Sequence, residues 1–150
     1  MREILFRGKR TDNGEWVYGD LIRDCICNTT VQHIGYYLYG EVADIENDDV
    51  VSVIPETVGQ YTGLNVNGNK IYEGDIIKSE QDGMIGVIRF GEYQTTNSGN
   101  GECHLGFSIE WYGKYSDIIR RDLGWWVKAA NKDINIVGNI HDNPELLEVK

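Results

Sequence analysis

The sequence predicts a mainly β fold of short antiparallel strands with a brief C-terminal helix. Three features carry that expectation. Two Asn-Gly pairs, Asn13-Gly14 and Asn67-Gly68, each lie between apolar runs, and Asn-Gly supplies the positive backbone dihedrals of a tight hairpin turn. Phe107-Ser108-Ile109-Glu110-Trp111 alternates apolar and polar residues, the period of a strand with one wet face. His141-Asp142-Asn143-Pro144-Glu145-Leu146-Leu147 offers Asn143 as a cap and Pro144 at the first helical position, which together start a short helix.

In chain order, Ile4-Leu5-Phe6 and Trp16-Val17-Tyr18 flank the first turn, and the returning strand runs to Leu21-Ile22 before a turn near Arg23-Asp24. Cys25 to Tyr39 is rich in the β-branched and aromatic residues of short strands. Asp44, Glu46, Asp48 and Asp49 read as a solvated turn, Val50 to Ile54 as a strand ended by Pro55, and Glu56 to Gly63 as a compact connector. The second hairpin spans Leu64 to Tyr72. Met84 to Phe90 forms another strand, with Gly86 as a bend or bulge. Gly91 to Gly101 is a polar loop with little apolar area to offset its ordering. Asp117 to Leu123 allows a helical turn interrupted by Gly124, whereas Trp125-Trp126-Val127 and Ile134-Asn135-Ile136-Val137 read as strands. The hairpins share an Asn-Gly turn, an apolar strand and a Gly-Asp pair, too short a match to establish duplication.

Composition narrows function. With 14 Lys plus Arg against 24 Asp plus Glu, the formal net charge is -10; the long-range field repels phosphate backbones, so strong general nucleic-acid binding is not expected. Charges interrupt the apolar runs of MREILFRGKR before they reach the roughly 7–15 residues of a signal-peptide core, and no segment approaches the roughly 20 apolar residues of a membrane span. No membrane association is expected, and cytoplasmic residence follows as the default. Three cysteines, Cys25, Cys27 and Cys103, cannot all pair within one chain.

Chemical motifs are sparse. Cys25, Cys27, Cys103 and His104 would make a four-ligand zinc set, but the usual pair of ligand knuckles is missing. A calcium loop starting at Asp44 would meet Asp49 in place of its glycine and Pro55 in place of its terminal glutamate. His33, His104 and His141 share no recognisable metal or nucleophile spacing, and Glu73-Gly74-Asp75 is more economically a turn than a carboxylate pair. No catalytic, cofactor-binding or metal-binding residue is assigned, and no cofactor is expected. The basic cluster Arg7, Lys9 and Arg10 is offset by Glu3, Asp12, Glu15 and Asp20. Trp111, Tyr112, Tyr115, Trp125 and Trp126 suit a core, with one or two rings left for an interface.

Three runs taken together are distinctive: Arg2 to Arg7; Gln60 to Leu64 with Asn67 to Ile77; and Ile136 to Leu147. In this they resemble the YopX-like family of bacteriophage and prophage proteins across essentially the whole chain. The resemblance implies an SH3-type barrel within residues 60–150, its strands including Glu73 to Ile77 and Gly86 to Phe90, in a chain 1–150 that forms one compact unit. It also implies residence in the cytoplasm of a phage-infected or prophage-bearing bacterium. It brings no established catalytic residues. The functional expectation is a non-catalytic phage or prophage accessory protein that binds protein or self-associates as an oligomer; the competing class is an unusual enzyme or a nucleic-acid or small-ligand-binding protein.

Overall fold

The computed structural model describes residues 1–25, 34–39, 50–95, 102–114, 116–117, 119–128 and 133–148. They divide between two compact units, Met1–Tyr61 and Thr62–Lys150. The expected turn at Glu41–Asp49, Cys27, His33 and Tyr115 lie outside the described residues.

In the first unit, β1 (Phe6–Lys9) pairs antiparallel with β2 (Trp16–Cys25). Gly14, at φ 72°, turns the chain between them and donates its N–H to the Arg10 carbonyl. Instead of turning at Arg23-Asp24, β2 continues, with Arg23 opposite Tyr36 and Asp24 opposite Gly35 of β3 (Ile34–Tyr39). Strand β4 (Val50–Val53) pairs with β3. The expected connector after Pro55 is a single 3-10 turn, Pro55–Thr57, leading into β5 (Gly59–Val66), whose first residues pair with β1. Thr57 explains the tight entry: its hydroxyl donates to the Ile54 carbonyl and accepts the Lys9 N–H. An isolated bridge between Arg10 and Val53 draws the end of β4 onto the residues after β1. Val17, Val51 and Val53 form the core, with Phe6, Leu21 and Val58 against it.

The second unit begins with the rest of β5, which turns back into β6 (Asn69–Tyr72). Asn67 and Gly68 have φ of 50° and 81°, both positive as a two-residue type I′ turn requires. A four-stranded antiparallel sheet follows in the order β10-β7-β8-β9, made of β7 (Asp75–Ser79), β8 (Ile85–Gln94), β9 (Cys103–Tyr112) and β10 (Ile134–Asn139). Val66, Ile71, Ile77, Ile88, Ile109, Trp111, Leu123, Trp126 and Ile134 form its core.

This sheet is open, which overturns the expected SH3-type barrel. Closure would require β10 to pair with β9. The outer edge of β9 is engaged differently: Ser108 bridges Asp122, and the Ile109 N–H donates to the Arg121 carbonyl. An irregular segment thus covers the edge that a barrel would join, and β10 carries a register shift between Ile136 and Gly138.

Four local expectations also change. Trp125-Trp126-Val127 is helical, part of α1 (Leu123–Lys128); Leu123, Trp126 and Val127 fall at helical spacing, and all three pack into the core. Gly86 is no bulge, because β8 and β9 keep register from Ile85 opposite Tyr112 to Gln94 opposite Cys103. The same ladder draws Gly91 to Gln94 out of the expected loop and into β8. At the C-terminus, Pro144–Leu147 is a 3-10 turn that Asn143 does not cap with its side chain. That side chain instead accepts the Asn139 N–H at 3.4 Å.

Candidate protein interface

The two most distinctive sequence runs meet at Gly74. Its φ of 84° admits the sharp turn between β6 and β7, its N–H donates to the Ile88 carbonyl, and its own carbonyl accepts the Ile140 N–H. Asp75, 2% exposed, accepts the Tyr72 N–H at 2.8 Å. On the other run, Asn139 Oδ1 accepts the N–H groups of His141 and Asp142, both at 3.0 Å, and its amide donates to Asp142. Each turn satisfies its own polar groups, and the Gly74 carbonyl joins the two runs. Glu73-Gly74-Asp75 is therefore a structural turn, as its sequence suggests.

The other motif residues are scattered. Cys103 is an exposed free thiol at the start of β9. His104 lies beside Tyr93, with ring centroids 5.5 Å apart, and its Nε2 is 3.4 Å from the Thr95 hydroxyl. Cys25 enters the structure through its backbone pairing with Ile34. Among the described residues no three His, Cys, Asp or Glu side chains are grouped to hold a metal ion. In the basic cluster, Arg7 is 7% exposed and its guanidinium lies 4.8 Å from the Trp16 ring centroid, with the Lys9 ammonium 5.6 Å from that centroid. Arg10 contacts Asp12 at 2.6 Å. Cation–ring and ion-pair contacts within the first unit thus engage all three.

The C-terminal aromatics divide between interior and surface. Trp111 and Trp126 are buried with centroids 5.0 Å apart, and both indole N–H groups donate to the Arg120 carbonyl, at 2.9 and 2.7 Å. Trp125 is 39% exposed and carries the Arg120 guanidinium 5.3 Å from its ring centroid. Arg120 Nε in turn contacts Asp122 at 2.7 Å, and the Tyr93 hydroxyl donates to the other Asp122 oxygen at 3.3 Å.

Burial first, then the charge and hydrogen bond of Asp122, hold the Tyr93 phenol above its ordinary value of 10.0. The neutral phenol is the favoured form in the fold. Its contribution to stability is present below the unfolded pKa of about 10 and is lost as pH rises through the higher folded value. Asp122→Asn is expected to lower the Tyr93 ionisation pH. An ultraviolet titration of that variant, with a Tyr93→Phe chain to isolate the phenol's signal, tests this; an unmoved Tyr93 transition would remove Asp122 as a cause.

Sequence reasoning missed the outer half of the β8–β9 hairpin. Directly opposite residues of antiparallel strands share a face, as do alternate residues along a strand. Ile88 and Ile109, opposite one another, are fully buried. Two residues further out on the same face, Phe90 opposes Phe107 with ring centroids 5.1 Å apart, and then Glu92 opposes Leu105. Phe90 is 52% and Leu105 73% exposed. The packed cluster that covers Ile88 and Ile109 reaches Phe107 at its margin and includes neither Phe90 nor Leu105. The core face consequently continues into solvent. The alternation of apolar residues was the available signal, but it cannot show where the packed core stops.

Among the described residues no helix is long and apolar enough to cross a membrane. The class defined by these features is an open-sheet antiparallel β protein with an apolar hairpin face left uncovered at one end. The chain belongs to the YopX family, whose model, described as YopX protein, matches residues 5–148. No curated protein and no solved structure matches it.

Proposed function

We propose that this YopX-family chain is a non-catalytic phage or prophage accessory protein that works in the bacterial cytoplasm by binding protein through the outer β8–β9 face. The observation that carries the reading is the exposed pair Phe90 and Leu105 beside half-buried Phe107, on the face that continues from the buried Ile88–Ile109 pair. Aromatic and aliphatic groups of this kind act as interface anchors when a partner excludes water from them. The partner is another protein or a second copy of the chain.

A photocrosslinking residue placed at Leu105 in phage-infected or prophage-bearing cells is expected to give a discrete protein adduct. The same probe at Glu56, an exposed position in the first unit, is expected to give none. Equal labelling from both positions, or no adduct from Leu105, would overturn the reading. Sedimentation identifies the partner class: a 17.1 kDa species persisting to about 100 μM excludes even a modest micromolar dimer and assigns the adduct to another protein.

A further inference from the structure

We infer that the partner of the outer β8–β9 face is a cationic protein segment, one that presents apolar side chains flanked by Lys or Arg, rather than a second copy of this chain. The inference rests on the protein-binding reading and adds the charge of the partner. Beyond Ile88 and Ile109, the face consists of Phe90, Glu92 and Gln94 from β8 with Phe107, Leu105 and Cys103 from β9. Its one charged member is the exposed carboxylate of Glu92, opposite Leu105. Exposed Glu102 immediately precedes β9. Of the nearby cations, Arg89 belongs to the opposite face of the hairpin, where its Nε contacts Glu110 at 2.9 Å, and Arg121, bonded through its backbone to Ile109 and Thr95, has its Nε buried.

An apolar surface beside a carboxylate favours an incoming apolar group accompanied by positive charge. Self-pairing across this patch would bring Glu92 towards its own copy and add two chains of formal net charge -10. The long-range field that disfavours such pairing accelerates association with a cationic segment. Apolar contact and charge then act on the same partner, the first holding it and the second selecting it.

The test uses the full-length chain and three fluorescein-labelled peptides with the same Leu and Phe anchors, flanked by Lys, Ser or Glu. Anisotropy is expected to show the Lys-flanked peptide binding at least about tenfold tighter than the Ser-flanked one, with weakening as salt rises. Leu105→Asn is expected to abolish that binding. Glu92→Lys should remove most of the preference, whereas Glu56→Lys, which changes net charge equally in the first unit, should leave most of it. Circular dichroism and sedimentation establish that each variant is folded.

Equal binding of the Lys-flanked peptide by wild type and Leu105→Asn would reduce the attraction to net charge and overturn the inference. Equal affinity for Ser- and Lys-flanked peptides would preserve the apolar interface but overturn its charge selection. A dimer lost on Leu105→Asn, without peptide binding, would preserve the interface and identify the occupant as a second copy. Absence of peptide binding, of a dimer and of a Leu105 crosslink would overturn both readings.

Discussion

Trp126→Ala is expected to lower the free energy of unfolding by about 3–5 kcal/mol, the range for deleting a large aromatic from a packed core. The indole is 8% exposed, packs at 5.0 Å from Trp111 and 5.2 Å from Trp125, and donates to the Arg120 carbonyl. Truncation opens a void where Leu123, Ile109 and Trp111 share one cluster. The hydrogen-bond loss is the smaller part, because the Arg120 carbonyl keeps the Trp111 donor. Trp126→Phe should therefore recover much of the deficit. Urea unfolding at matched m values measures both variants; a Trp126→Ala cost below about 1 kcal/mol would mean that the ring does not organise this core.

The parts of this fold legible in sequence are those governed by a few adjacent residues. Asn67-Gly68 specifies its turn because both positions accept positive φ, and they have it. Phe107 to Trp111 forms a strand as its alternation indicates. Trp125-Trp126-Val127 shows the limit: an apolar triplet fits either a strand or one face of a helix. Asp122 resolves the choice through its carbonyl, which accepts the Trp126 N–H at 3.3 Å. Long-range edge use was less visible. The YopX resemblance identified the family, but whether β9 meets another strand depends on Arg121 and Asp122 reaching its outer side.

The candidate interface was obscure for a related reason. Ile88 and Phe90, or Ile109 and Leu105, look alike as apolar residues on one strand face, and only the reach of the packed core separates interior from surface. By contrast, Gly74-Asp75 and Asn139 to Asn143 stand out in sequence because close turns demand specific backbone freedom and side-chain acceptors. Distinctive residues mark an architectural corner here. The exposed apolar surface is made from ordinary strand residues.

Gly86→Ala is expected to cost about 1–3 kcal/mol, the range for forcing an added carbon into a well-packed core. A Cβ at Gly86 would stand 2.5 Å from Ile109 Cγ2 and 2.9 Å from Trp111 Cε3. Neither neighbour yields easily: Ile109 is fully buried, and Trp111 is fixed by Trp126 and its bond to Arg120. Gly106→Ala is the matched control on the paired strand, since a Cβ there meets nothing within 4 Å. It should change stability by less than about 0.5 kcal/mol, as surface substitutions usually do. Both substitutions remove one glycine from a strand, so the difference between them isolates packing from backbone propensity. Urea midpoints that fall equally for the two variants would refute close packing over Gly86; a large loss confined to Gly86→Ala would establish that Ile109 and Trp111 leave no room for a side chain there.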